Sequence, residues 1–263
     1  MNFIEFEQLS RPDDHSMPAP HTHDYYELYF LLDGERDFFV DNKMFVVPKN
    51  SIVIVPPYVM HKTEGGPYKR ININVSSAYL THAQNEFLMK ASKKSALKIS
   101  DEHLSLIVKL LEEGAKFPVK AKNHAESLIA IAQTIISFLS IQDPIAVETA
   151  SATLRHENGS PEVLKIIYYI NRNYTNQITL KELCDEFFMC KVSLCKKFKE
   201  VMHCSIMEYI LQLRLNKAKA LLREGNKSIE EIAGLCGFSS ANYFGLIFKK
   251  VVGLSPLNYK KTR

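Results

Sequence analysis

The sequence predicts an α+β protein with two parts: an antiparallel β-barrel of the jelly-roll type carrying helices, and an all-α domain with two helix-turn-helix units. Three observations predict this fold class. Short apolar strands separated by turn residues fill positions 23–75, the hydrophobic period becomes helical from position 81, and one helix–break–helix pattern occurs twice within 160–263. A chain of 263 residues is long enough to bury two separate cores.

Residues 1–80 are predicted to form the barrel. Runs of aromatic and apolar residues, bounded by Gly, Pro, Asn or Asp, mark its strands. The dipeptide Asp33-Gly34 is a hairpin signal directly after the first run. The predicted strands are 25–32, 37–40, 43–47, 51–55 and 70–75.

Residues 81–142 are predicted to form helices. Two sets of apolar residues recur at helical spacing: Leu104, Ile107, Leu110 and Leu111, and then Leu128, Ile131, Ile135, Phe138 and Leu139. The second helix is open to two interpretations, dimerisation or packing onto the barrel of its own chain. The apolar stretch 127–141 is too short and interrupted for a bilayer span, so no membrane partner is expected. Small and polar residues at 143–160 predict an interdomain linker.

Charge is unevenly distributed along the chain. Residues 1–80 hold 7 Lys and Arg against 11 Asp and Glu, whereas residues 160–263 hold 17 against 9. The basic C-terminal part therefore favours a polyanionic partner. All five cysteines lie from Cys184 to Cys236 without CxxC spacing, which favours reduced thiols. Because the N-terminus also lacks a signal-peptide pattern, a cytoplasmic location is expected.

The repeated pattern in the last domain, 161–263, predicts two helix-turn-helix units at about 179–201 and 228–251. In each copy a capping box precedes the first helix: Thr179 with Glu182, and Ser228 with Glu231. Gly237 permits a left-handed bend between the helices of the second copy. Between the copies, 206–223 is predicted to form one long amphipathic helix that holds them apart.

The second helix of each unit has an anchoring face and an outer face. Phe198, Phe244 and Phe248 are expected to point into the core. In a helix-turn-helix the outer face of the second helix enters the major groove of DNA. The residues expected there are Lys191, Val192, Cys195, Lys196 and Lys199 in the first copy, and Ala241, Asn242, Gly245, Leu246 and Lys249 in the second.

This segment resembles the DNA-binding domain of the AraC/XylS family of transcriptional regulators. The matching residues include Leu183, Phe198, Tyr209, Ala218, Leu222, Ile232, Ala233, Gly237, Phe238, Phe244, Phe248, Gly253, Pro256 and Tyr259. The resemblance implies double-stranded promoter DNA as partner, RNA polymerase as a further partner if the protein activates transcription, and a homodimer. It identifies the chain as a non-enzymatic regulator without catalytic residues or a cofactor.

Four positions depart from the family pattern. Gly245 and Leu246 stand where a polar pair is usual, and neither side chain can hydrogen-bond a base edge. Cys190 replaces a common capping Ser, and Cys204 replaces the Gly that usually ends the helix. Lys196 in the first copy is the best candidate to read guanine, with a contact to phosphate alone as the alternative.

Histidines near the N-terminus form a second motif. His21, His23 and Glu27, followed by Gly34 and later by His61, fit the two cupin motifs, and His21 and His23 share one strand face. Three imidazoles and a carboxylate suit a divalent transition metal. Because the sensor half of AraC-type regulators often keeps this pattern without metal, the alternative is a pocket for a small ligand, lined by these residues and Tyr29. Inward aromatics such as Tyr25, Tyr29 and Phe38 would suit a sugar ring.

The sequence therefore predicts a regulator that binds promoter DNA and responds to a small molecule, with a sugar as one candidate. Two alternatives remain open. One is a ligand-independent regulator whose barrel only dimerises, and the other is a metal-dependent cupin enzyme fused to a DNA-binding domain.

Overall fold

The computed structural model describes residues 3–41, 43–98, 100–117, 123–142, 144–146 and 161–261. By its contacts the chain divides into two units. The first comprises Asn2–Met17 and His23–Ala152, and the second comprises Thr153–Arg263 together with Met1 and Pro18–Thr22. Of the predicted linker 143–160, Ile145–Ala146 pair as a short strand, and 143 and 147–160 lie outside the described residues.

The first unit contains eight described strands. They are β1 (Ile4–Arg11), β2 (Tyr26–Val40), β3 (Lys43–Pro48), β4 (Ser51–Val55), β5 (His61–Glu64), β6 (Tyr68–Val75), β7 (Leu97–Lys98) and β8 (Ile145–Ala146). All described pairings are antiparallel, in the order β1-β6-β2-β4-β7-β8, and β3 and β5 pair with β2 outside this path. The antiparallel prediction is confirmed. The sheet, however, does not close into a barrel, since β1 and β8 stay at opposite ends of the described order.

The long strand β2 joins the two halves of this sheet. Its first half pairs with β4 and β6, and its second half with β3 and β5. The hairpin predicted at Asp33-Gly34 is wrong, because the strand continues through both residues. The register against β6 shifts between Leu31 and Asp33, and Gly34 follows with a φ of 83°. A Cβ on Gly34 would collide with the carbonyl oxygen of Pro67, so glycine permits a bulge and a close backbone approach here instead of a turn.

Both faces of the first half of β2 are buried. Leu28 and Phe30 lie in an apolar core shared with the helices, whereas Tyr29 and Leu31 lie in a second core with Phe38. Helices α1 (His82–Ala91), α2 (Asp101–Ala115) and α3 (His124–Gln142) supply the cover on the first side. A 3₁₀ turn, Ser77–Tyr79, leads from β6 towards α1.

Helix α3 packs within its own chain. Ile135, Ile136 and Leu139 are fully buried in the core that the helices share with the sheet, which agrees with the packing interpretation of this helix. With 19 residues, α3 is longer than the sequence predicted. It is the one helix of the described ranges whose length and composition would allow a membrane crossing, a weak indication that core helices also give.

From Pro161 to Lys261 the second unit consists of helices joined by turns. Its helices are α4 (Pro161–Asn173), α5 (Leu180–Glu186), α6 (Lys191–Met202), α7 (Ile206–Glu224), α8 (Ile229–Leu235), α9 (Ala241–Val252) and α10 (Pro256–Lys261). The pairs α5–α6 and α8–α9 are the two helix-turn-helix units, with α7 between them. Both predicted capping boxes, at Thr179 and Ser228, are confirmed, as is the left-handed Gly237 with a φ of 81°.

Candidate functional site

The second helix of each helix-turn-helix unit buries one face completely. Leu194 and Phe198 of α6 are inaccessible to solvent, and the ring of Phe198 contacts Tyr209 of α7 edge to face. Phe244 and Phe248 of α9 are equally buried in a core with Leu222 and Tyr259. These anchors confirm the predicted inward face of each helix, and they fix which residues face outward.

The outer faces of α6 and α9 lie open to solvent. Val192 is 76% exposed, Leu246 is 73% exposed and the side chain of Lys196 is 74% exposed. Of the ten predicted contact residues none is buried: Lys191, Val192, Lys196, Lys199, Asn242, Leu246 and Lys249 are exposed, and Cys195, Ala241 and Gly245 are half-buried. The structure thus places every predicted residue on a surface that a nucleic acid can reach.

Two features of these faces bear on their chemistry. Lys196 Nζ lies 3.9 Å from Glu200 Oε1, and an exposed pair of this length contributes little, so the ammonium can change partner at small cost. Tyr243, which sequence reasoning missed, is half exposed on α9 close to Asn242. In the sequence, Tyr243 directly precedes the buried anchor Phe244, as Ser193 directly precedes the buried anchor Leu194 in α6. This position could have indicated that Tyr243 lies at the edge of the outer face.

The inner side of the sheet in the first unit is polar. Glu27 and Tyr29 of β2 stand opposite Asn74 and Asn72 of β6, and Leu31 stands opposite Arg70. The sequence predicted a strand at 70–75 but did not place these polar residues in a site. Asn72 and Asn74 are buried and Arg70 is half-buried, because the sheet is covered on both faces and its polar side also turns inward.

Several polar atoms of this inner side lack a protein partner. The hydroxyl of Tyr29, Arg70 Nη1, and the Oδ1 atoms of Asn72 and Asn74 are buried and accept or donate no hydrogen bond among the described residues. Other atoms of the same side chains do form hydrogen bonds; Arg70 Nη2, for example, donates to Glu7 Oε2 at 2.8 Å. A buried polar atom left without a partner costs about 1–3 kcal/mol, so four together indicate a place for a polar ligand or water.

Beside this row, Glu27 contacts two histidines. Its Oε2 lies 3.1 Å from His23 Nε2 and 3.3 Å from His61 Nε2, while its Oε1 accepts a 2.6 Å hydrogen bond from Asn72 Nδ2. Burial raises the pKa of Glu27, but hydrogen bonds with His23 and His61 outweigh it and hold that pKa well below the usual range. Glu27 is therefore a buried carboxylate ion, only 8% exposed.

Backbone carbonyls fix the two imidazole rings. His23 Nδ1 lies 2.8 Å from the Tyr25 carbonyl oxygen, and His61 Nδ1 lies 3.0 Å from that of Val59. The ring of Tyr25 stacks on His23 at 4.1 Å, and burial next to Glu27 raises the pKa of Tyr25 to about 12. His21 is exposed and belongs to the segment Pro18–Thr22, which clusters with the second unit, so the group is described by His23, Glu27 and His61.

A cavity of about 240 Å³, partly open to solvent, lies in the first unit. Apolar side chains such as Phe45 and Val53 line it together with Lys43 and Asp41. Phe45 and Val53 also belong to the inner core that contains Tyr29 and Phe38, whose rings meet edge to face at 4.9 Å. This volume lies just below the roughly 300–1,000 Å³ typical of ligand pockets, so the cavity suits only a small molecule.

Two tandem helix-turn-helix units and a separate domain with a buried polar interior define the class of ligand-binding transcriptional regulators. Comparison with known proteins agrees with this class: a family model described as an AraC-like ligand binding domain matches residues 6–129, and one described as a helix-turn-helix domain matches 183–262. The chain belongs to the AraC family of transcriptional regulators.

Among its relatives, the chain is 23% identical over 247 residues to the HTH-type transcriptional activator RhaR of Mannheimia succiniciproducens, covering 92% of this chain and 87% of that one. It is 24% identical over 268 residues to the melibiose operon regulatory protein of Escherichia coli, covering 94% and 85%. The solved structure of ToxT from Vibrio cholerae is similar over 98% of this chain and 97% of that one, at 16% identity and a TM-score of 0.37.

Proposed function

We propose that this regulator reads promoter DNA with the outer faces of α6 and α9, and that a small polar molecule held inside the first unit controls that binding. The observation that carries the DNA-binding part is the pairing of two buried anchor faces with two open faces in successive helix-turn-helix units. Helix α7, with 19 residues, spans roughly 28 Å between the units. Successive major grooves on one side of B-DNA lie about 34 Å apart, so a rigid spacer of this order suits two adjacent grooves.

The DNA-binding part is tested with fragments from the regions upstream of the gene and its neighbours. Footprinting is expected to reveal two protected major-groove segments about 10 base pairs apart on one side of the duplex. Because Lys and Arg contacts to phosphate release counterions, the affinity should fall linearly with salt on a double-logarithmic plot, with a slope near −0.9 per contact. Uniform affinity for all fragments, with no footprint, would contradict sequence-specific binding.

The proposed effector is a small polyhydroxylated molecule of the sugar class. Tyr29, Arg70, Asn72 and Asn74 offer buried donors and acceptors that hydroxyl groups can satisfy simultaneously, since each hydroxyl both donates and accepts. The name of the melibiose operon regulatory protein connects a relative to a sugar operon. To regulate transcription, the effector must bind more tightly to one state of the protein than to another, and its presence must change the affinity for DNA by the same coupling factor.

Titration with a panel of mono- and disaccharides, melibiose included, tests this part. One member should raise the melting temperature of the protein and shift its affinity for DNA. Tyr29→Phe should then weaken saccharide binding by about 2- to 10-fold, the value of one hydrogen bond. Tyr26→Phe is the matched control, because Tyr26 lies in the core on the other face of the sheet. If no saccharide acts, a sugar-class effector is excluded, and a regulator whose first unit only mediates dimerisation becomes the leading alternative.

Four further proposals follow from the family. The protein acts as a homodimer in the cytoplasm, contacts RNA polymerase if it activates transcription, and catalyses no reaction. The basic outer face of α6, with Lys191, Lys196 and Lys199, supports a polyanionic partner. Analytical ultracentrifugation of the full chain, with and without operator DNA, measures the oligomeric state.

A further inference from the structure

The group formed by His23, Glu27 and His61 brings two ring nitrogens to one carboxylate oxygen. A carbonyl oxygen only accepts hydrogen bonds, so Nδ1 of each ring must carry the proton that the Tyr25 and Val59 carbonyls receive. In a neutral imidazole this leaves a lone pair on each Nε2. Both Nε2 atoms face Glu27 Oε2, at 3.1 and 3.3 Å. Two ring nitrogens and a carboxylate oxygen therefore converge on one buried point, which is the arrangement that a metal ion requires of its ligands.

The two imidazole rings also lie close together, with ring centres 4.7 Å apart. A single metal ion would satisfy all three acceptors at once. Ligands bound at about 2.1 Å lie roughly 3.0–3.4 Å from one another around a metal, which is the spacing of the two Nε2 atoms from Oε2.

The surroundings also match those of metal ligands. Metal-binding histidines usually donate their other ring N–H to a backbone carbonyl or carboxylate, which fixes the tautomer and the ring orientation. His23 and His61 both do so, and Asn72 Nδ2 holds the second oxygen of Glu27 in place. His61 is 1% exposed, so this arrangement is part of the interior and is not a chance surface cluster.

We propose that His23, Glu27 and His61 bind one divalent transition-metal ion inside the first unit, with Asn72 as a positioning residue. Two imidazoles and a carboxylate suit zinc, iron, nickel or cobalt, and exclude calcium and magnesium, which prefer oxygen ligands alone. Three protein ligands leave coordination positions for a further donor. The proposal depends neither on the identity of the effector nor on the DNA-reading residues.

The test uses the full chain without an affinity tag, treated with chelator and then titrated with Co²⁺, whose visible absorption reports bound metal. We expect one equivalent per chain, confirmed by elemental analysis, and a higher melting temperature when Zn²⁺ is in excess of its dissociation constant. Glu27→Gln and His61→Ala should lower the Co²⁺ affinity at least 100-fold, and Asn72→Ala about 10- to 100-fold. His82→Ala and Glu86→Gln, exposed residues of α1, are the matched controls.

Circular dichroism and retained DNA binding establish that each variant folds. The metal dependence of the melting temperature of the unmodified protein provides a readout that needs no variant. The proposal is overturned if the wild-type chain binds less than stoichiometric Co²⁺, or if Glu27→Gln binds it as tightly as the wild type.

Discussion

Phe188 and Gly237 adopt the same left-handed backbone conformation, with φ values of 51° and 81°, at equivalent points in the turns of the two helix-turn-helix units. In both turns the next amide donates to the carbonyl five residues before it: Met189 to Cys184, and Phe238 to Ala233, each at 3.0 Å. The turns are therefore built alike from different residues. Phe188 bears a Cβ where glycine would be unstrained, and its ring is 96% exposed and gains no packing.

Replacing Phe188 by glycine should stabilise the second unit. Relief of the left-handed strain stabilises the folded state by about 1–2 kcal/mol. The greater conformational freedom of glycine in the unfolded chain offsets part of this gain. The expected gain in the free energy of unfolding is about 0.5–1 kcal/mol, measured by urea denaturation. Phe188→Ala, which keeps the Cβ, should gain nothing. Equal stabilisation by both variants would attribute the effect to the ring and not to the backbone.

Gly237→Ala should have the opposite effect. A Cβ at this position would lie 2.5 Å from the carbonyl oxygen of Thr175, a backbone atom that cannot move aside easily. Strain and collision together should cost about 2 kcal/mol or more in the free energy of unfolding. Gly234→Ala in α8 is the control, because its Cβ would meet no atom within 4 Å and should stabilise the helix by up to about 1 kcal/mol. Equal destabilisation in the two variants would exclude this account.

These turns also explain how far the sequence could predict the structure. Capping at Thr179 and Ser228 and the bend at Gly237 depend on neighbours in sequence, and all were predicted correctly. At Gly34 the same local reasoning predicted a hairpin, and it was wrong because the glycine is required by the distant backbone of Pro67. Neighbouring residues thus predict that a glycine adopts a positive φ. Whether that glycine forms a turn or a bulge can depend on a distant part of the chain, as it does at Gly34.

The interior of the first unit was harder to predict for a similar reason. A strand that alternates Arg, Ile and Asn is typical of a sheet with one wet face, yet Asn72 and Asn74 are buried and Arg70 is half-buried. Their burial follows from the second half of β2, which carries β3 and β5 away from the main sheet path. His23, Glu27 and His61 were predicted from their motif, but their common contact depends on pairing between distant segments.

The five cysteines should differ strongly in reactivity. Burial raises the pKa of Cys236 to about 11, with Lys217 and Arg214 lowering it only in part. Because the thiolate is the reactive form, Cys236 should resist alkylation in the folded protein, whereas the exposed Cys190 should react first. Mass spectrometry of the native protein after brief iodoacetamide treatment at pH 8 measures the order. Labelling of Cys236 as fast as Cys190 would mean that the core around α8 opens readily.

Lys196→Ala should weaken specific DNA binding by about 1–3 kcal/mol, if the ammonium donates to a guanine edge. Its pair with Glu200 is long and exposed, so the substitution should leave stability almost unchanged. Lys165→Ala removes the same charge from α4, outside both helix-turn-helix units, and is the control for non-specific attraction. A fluorescence titration with operator and scrambled DNA separates the two effects. If Lys196→Ala weakens both DNAs equally, Lys196 contacts phosphate only.

The two recognition helices should also contribute unequally to sequence reading. On α6, Lys196 can donate to a base edge, whereas on α9 Gly245 has no side chain and Leu246 is an exposed hydrocarbon, leaving Asn242 as the predicted polar reader. Base-pair substitutions opposite α6 should therefore cost about 1–3 kcal/mol each, and most of those opposite α9 less than about 1 kcal/mol. Saturation mutagenesis of the footprinted operator measures both sets, with Asn242→Ala identifying the positions that this side chain reads. Equal costs in the two half-sites would contradict this asymmetry. Because the side chains of Ala241 and Leu246 cannot hydrogen-bond a base and Gly245 has none, α9 would then read through Tyr243, Lys249 or DNA shape.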